Sequence, residues 1–253
     1  MTTVLEIRDL SKQFVKGDLG IVALRDLSLE IEEGAFVTVL GRSGCGKSTM
    51  LNMMSGLIPP SSGEVRFRDQ KMAGPRTEVG YLTQSDTLMP WRDVSRNVEM
   101  PMEIRGVPAK ERRERATDLI RRVGLTGFER HYPRELSGGM RRRASLARML
   151  ASGPEVLLLD EPFGALDAQL RSVLQAELLR LWQGSGETVV FVTHDIEEAL
   201  LLGDRIVVLG RIGRVVLDRE IDLRRPRDAD ELRVDAHFVA LHKEMTEALR
   251  EVR

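Results

Sequence analysis

Eight consecutive residues, Gly41-Arg42-Ser43-Gly44-Cys45-Gly46-Lys47-Ser48, follow the pattern G-x-x-x-x-G-K-[ST]. Such a loop suits phosphate. Its glycines let backbone N–H groups curl around an anion with no Cβ in the way. Lys47 can reach the β and γ phosphates, and the Ser48 hydroxyl suits Mg²⁺. A helix starting there directs its positive end at the anion. Further along, Val156-Leu157-Leu158-Leu159 runs into Asp160-Glu161. Asp160 at the end of such a strand suits Mg²⁺ through water, and Glu161 is then placed to polarise an attacking water. Alone, a strand ending in two carboxylates is an ordinary loop junction. Beside a phosphate loop it reads as the second half of a hydrolytic site. A third motif, Leu136-Ser137-Gly138-Gly139-Met140, opens a helical pattern (Ala144, Ala147, Leu150) that stops at Gly153-Pro154. By itself Ser137 is an N-cap.

These motifs need elements to hold them. Leu5 and Ile7, then Leu27, Leu29 and Ile31, alternate with polar residues, which predicts antiparallel strands with one wet face. Ala35 to Leu40, Val156 to Leu159 and Thr188 to Val192 are nearly continuous apolar runs. Strands apolar on both faces belong in a parallel sheet covered by helices. Asp204 to Leu209, a turn at Gly210 to Gly213, and Arg214 to Leu217 predict a closing hairpin. Pro108 starts a helix whose apolar face is Ala116, Leu119, Ile120 and Val123, with Gly124 as its stop. Leu170, Val173, Leu174, Leu178 and Leu181 form another such face. From about Ser85 to Gly153 the signals are helical. Beyond about Asp222 a weak periodicity (Phe238, Leu241, Met245, Leu249) predicts a short C-terminal helix.

The motifs also come in a particular order: phosphate loop, Gln84, Leu136 to Met140, Asp160-Glu161-Pro162, Ala165-Leu166-Asp167, His194. In that order the sequence resembles the ATP-binding-cassette (ABC) ATPases along essentially its whole length. The resemblance implies an α/β fold: a P-loop NTPase core with an antiparallel β subdomain and an inserted helical subdomain. It implies one nucleotide-binding domain over 1–253, with the helical subdomain at about 85–153 and a C-terminal extension at about 222–253. Two copies meet head to tail in such proteins, each ATP lying between the phosphate loop of one and the signature of the other. Gly41 to Ser48 and Thr49 then hold the nucleotide, and Ser137, Gly138 and Gly139 contact the γ-phosphate across the interface. The resemblance gives Gln84 to Mg²⁺ or the water, His194 to the γ-phosphate, Asp167 to the dimer interface and Phe14 to the adenine. Phe14 as a core residue stays open. Met140 stands where many relatives have Gln, and Gly164 where Ser is common.

Leu88-Met89-Pro90-Trp91-Arg92 and Glu161 to Asp167 resemble the importers of nitrate, taurine, aliphatic sulfonates and similar small solutes. The implied partners are a second copy, two transmembrane permease subunits and, indirectly, an extracytoplasmic solute-binding protein. The implied location is peripheral, on the cytoplasmic face of the membrane. In the family, Leu88 to Trp91 border the groove that receives a permease helix; burial of some of them in the subdomain core, Trp91 above all, is the competing expectation. An exporter cassette or a non-transport ABC ATPase is the alternative function.

Composition narrows the field. With 38 Lys and Arg against 39 Asp and Glu, the net charge of -1 leaves no cation excess for a nucleic-acid partner. Arg141-Arg142-Arg143 is therefore expected on a solvated helix face. A single Cys rules out an internal disulfide and any Cys-cluster metal site. Cys45 is expected as a small residue that the loop tolerates. His237 and His242 are expected on a solvated helix. No apolar run approaches the ~20 residues that cross a bilayer, and the first ten residues lack a signal-peptide core.

Overall fold

A computed structural model describes residues 2–16, 19–164, 166–184 and 186–251. Along the chain run β1 (Thr3–Lys16), β2 (Leu19–Glu32), β3 (Phe36–Gly41), α1 (Lys47–Met54), β4 (Ser62–Phe67), β5 (Gln70–Lys71) and β6 (Val79–Leu82). Then come α2 (Val94–Ile104), α3 (Ala109–Arg122), α4 (Gly138–Leu150), β7 (Val156–Asp160) and α5 (Ala168–Trp182). The chain closes with β8 (Thr188–Thr193), α6 (Ile196–Leu202), β9 (Arg205–Leu209), β10 (Val215–Glu220), α7 (Ala229–Leu232) and α8 (Ala236–Arg250). Two compact units result, one made of Met1–Arg76 with Glu187–Arg253, the other of Thr77–Gly186.

The first unit holds two sheets. One is antiparallel, in the order β2-β1-β4-β5. Leu5, Ile7, Leu27, Leu29 and Ile31 are buried on one face, as their alternation predicts, and Arg8 with Glu6 and Arg66 with Glu64 pair on the other. In the other sheet β3 lies between β8 and β9, parallel to both, with β10 antiparallel to β9. Every residue of β3 and of β8 is buried, which is what a nearly continuous apolar run requires of a central strand. The 15-residue α8 is longer than a weak periodicity suggests. Asp235 caps it, accepting from the Phe238 N–H at 2.9 Å. Phe238, Leu241 and Met245 enter the same core cluster as Leu40, Ala199, Leu200, Ile206 and Val208, so the tail closes this core.

In the second unit β6 and β7 pair in parallel. Three helices, α2 to α4, occupy the stretch predicted to be helical. Pro108 precedes α3, and Gly124 follows it at φ 67°. On α5, Leu174, Leu178 and Leu181 are buried but Val173 is exposed. At about 100° per residue Val173 sits roughly 107° around from the middle of those three, beyond the margin of their stripe. Leu170 instead packs on Gly139 at the start of α4. Among the described residues no helix is long and apolar enough to cross a membrane.

Candidate active site

In the first unit, β3 delivers the chain into the loop at Gly41, and α1 leaves it at Lys47. Gly46 caps the helix at φ 108°, where a side chain would be strained and its Cβ would lie 2.7 Å from the Ala23 carbonyl. Gly41 is needed for another reason: a Cβ there would sit 2.6 Å from Cys45 Sγ and 2.9 Å from the Leu209 carbonyl. Cys45 is thus buried beneath the loop, filling a space suited to a small residue. Lys47 Nζ donates to the carbonyls of Gly41 at 2.7 Å and Arg42 at 3.2 Å. The ammonium therefore holds its own loop curled, with Arg42, Ser43, Gly44 and Ser48 facing solvent and Thr49 half-buried.

Phe14 and His194 belong to the same unit. Phe14, paired with Ile21 on the β1–β2 ladder, is 43% exposed and has Lys12 Nζ 5.3 Å from its ring centre. It is not a core residue. His194 is exposed just past β8. Its neighbours are tied down: the Thr193 hydroxyl donates to the Glu198 carboxylate and accepts from the Asp195 N–H at 3.0 Å. Asp195 in turn caps α6.

The second unit holds the carboxylates and the signature. Asp160 ends β7 buried, and the Tyr81 hydroxyl donates to its Oδ2 at 3.3 Å. Burial and the nearby Asp160 charge push the Tyr81 phenol well up, so it remains a donor. Glu161 follows at φ 43°, a left-handed conformation that costs a non-glycine residue on the order of 1–3 kcal/mol. Ser137 caps α4, accepting from the Met140 N–H at 3.2 Å. Ser137 and Gly138 face solvent, while Gly139 is buried where any Cβ would strike Leu170 at 2.3 Å. Asp167 is exposed and caps α5 by accepting from Leu170 N–H at 3.0 Å; its neighbour Ala165 lies outside the described residues.

The arginine run departs from expectation. Arg142 does not face solvent; it is 7% exposed. It follows Gly139 by three residues and precedes Leu146 and Met149 by four and seven, so helical spacing placed it on the buried face. Charge suggested otherwise. Arg141 Nε donates to Asp86 at 2.8 Å and Arg148 Nη1 to the Thr87 carbonyl at 2.7 Å, so α4 holds the segment that follows Gln84, itself exposed. Tyr81 carried no comparable signal; only the Asp160 contact reveals it.

The segment after Gln84 also divides differently. Leu88 is 7% exposed and belongs to the core, whereas Trp91 is 70% exposed. Asn97, fully buried, fixes the turn between them. Its Oδ1 accepts from Met89 N–H at 2.7 Å, and its Nδ2 donates to the carbonyls of Met89, Arg92 and Asp93 at 2.9–3.1 Å. Leu88→Asp should therefore destabilise the protein by about 3–5 kcal/mol, while Trp91→Ala should leave the melt unchanged. Thermal unfolding of both variants checks this. Equal melting temperatures would show that Leu88 is not a core residue.

The glycine loop wrapping a lysine at a helix start is the mark of a phosphate-loop protein, and the second unit separately carries a buried aspartate followed by a glutamate at a strand end. The ABC transporter family model matches residues 24–164, and the chain belongs to that family: it is an ABC ATPase. It is 45% identical over 252 residues to an uncharacterized ABC transporter ATP-binding protein of Methanocaldococcus jannaschii, covering 99% of this chain and 93% of that one. It is 47% identical over 190 residues to the taurine import ATP-binding protein TauB of Yersinia pestis, covering 75% of this chain and 74% of the relative. Among solved structures, a dimeric ATP-binding cassette in a post-hydrolysis state with ADP and Pi bound superposes with TM-score 0.79 at 33% identity, covering 87% of this chain and all of that one.

Proposed function

We propose that this ABC transporter ATPase energises an importer of a small solute of the taurine, alkanesulfonate or nitrate class. The observation that carries the reading is its identity to the taurine-import subunit, to which the Leu88 to Arg92 segment adds. Two copies work head to tail with two permease subunits and an external binding protein, at the cytoplasmic face of the membrane. Ser137 and Gly138, exposed at the start of α4, support the shared site, because a helix start offers N–H groups to a phosphate. Trp91 and Met89 are the better candidates for the permease contact, since Leu88 is spent on the core.

Within each site Lys47 and the loop N–H groups bind the β and γ phosphates, Phe14 stacks on the adenine and His194 holds the γ-phosphate. Glu161 takes a proton from the attacking water. The proposed Mg²⁺ donors, the Ser48 hydroxyl, the Asp160 carboxylate and the Gln84 amide oxygen, are all hard oxygens of the kind this ion takes, and the Tyr81 donor keeps Asp160 oriented. When bound, the ion neutralises charge on the phosphates. Deleting the gene from its host and following uptake of labelled taurine, an alkanesulfonate and nitrate tests the transport reading. Loss of one uptake, restored by the wild-type gene and not by a Glu161→Gln copy, is expected. Unchanged uptake of all three overturns it.

A further inference from the structure

Arg142 lies on α4 just past the signature, and its hydrogen-bond partners are all backbone carbonyls. Nη1 donates to Thr83 and Gln84, Nε to Pro162 at 2.7 Å and Nη2 to Asp160 at 3.4 Å. These carbonyls come from two segments some eighty residues apart in sequence. One segment carries Gln84. The other is the turn in which Glu161 holds its left-handed conformation, with the anchored carbonyls of Asp160 and Pro162 on either side. A planar guanidinium can serve four acceptors spread over two loops, which an ammonium on a flexible stem cannot. Burial lowers the Arg142 pKa to about 10, so the group stays charged at neutral pH.

We propose that Arg142 is a positioning residue for ATP hydrolysis: its guanidinium locks the Gln84 loop to the Asp160–Pro162 turn, so that Glu161 is held in its working orientation and displacement of Gln84 is transmitted to it. The inference rests on the roles proposed above for Glu161 and Gln84. Arg141 and Arg148 keep the rest of the loop tethered through Asp86 and Thr87, so the fold does not depend on Arg142 alone.

Arg142→Lys in the full chain is the test, since it keeps the charge and loses the fork. At saturating ATP, kcat should fall at least tenfold while KM stays within twofold and the melt remains cooperative. Hydrogen exchange should quicken together at residues 83–84 and 160–164. An unchanged kcat overturns the proposal, as do exchange rising in only one segment, kcat and KM shifting in step with the melting temperature, or a variant that no longer melts cooperatively. Glu161→Gln is measured in parallel. If that variant hydrolyses ATP normally, the underlying role of Glu161 is wrong; if it is inactive while Arg142→Lys is normal, only the present inference fails.

Discussion

Glu161→Gln is expected to bind ATP as the parent does and to hydrolyse it at least about 100-fold more slowly, as loss of a general base does. The amide keeps the shape of the carboxylate but accepts no proton. Nucleotide binding should hold, because the groups proposed to hold the phosphates are Lys47 and its loop, which the substitution leaves untouched. ATP-bound dimers should therefore accumulate, and size-exclusion chromatography with ATP and Mg²⁺ should resolve them from monomers. The left-handed turn at residue 161 tolerates Gln no worse than Glu, so the melting temperature should hold. Hydrolysis near the parent rate would remove Glu161 from the mechanism.

The second large effect separates binding from site sharing. Lys47→Ala deletes the charge proposed to contact phosphate and leaves the Gly41 and Arg42 carbonyls without that donor. Charged hydrogen bonds contribute about 1.5–3 kcal/mol each, so ATP affinity should fall by about 10- to 100-fold. Ser137→Arg blocks the signature, at a cost of about 1 kcal/mol from the lost helix cap. Each variant alone should be inactive. Mixed, they form heterodimers in which one site combines the intact loop of one copy with the intact signature of the other. Hydrolysis should rise above the sum of the two parents. A mixture that stays at that sum would place the whole site within one chain.

Much of this was legible in the sequence because the informative signals were local. The phosphate loop and its strand need only a run of eight residues and the apolar stretch before them. The antiparallel strands show as a two-residue alternation. What failed were positions where residue type and position in the pattern disagreed. Arg142 sits at a core position of α4 by spacing, yet an arginine in a run of three reads as solvated; only the carbonyls gathered around it explain the burial. Leu88 and Trp91 are three residues apart in one apolar stretch, and nothing local says which of them turns inward. The Asn97 amide decides that from the following helix. Val173 fails more simply, since a heptad-like list hides which member lies beyond the margin.

The discontinuity of the first unit bears on how the protein is made. Both strands that flank β3, β8 and β9, lie more than 140 residues downstream of it, and α8, which packs in the same core cluster as Leu40, follows later still. At ribosomal speeds of about 5–20 residues per second, a nearly all-apolar strand waits on the order of ten seconds for its neighbours. The second unit is contiguous, and within it β7 follows β6 by about half that length of chain. During that interval the strand that carries the phosphate loop has neither of its neighbours in the sheet.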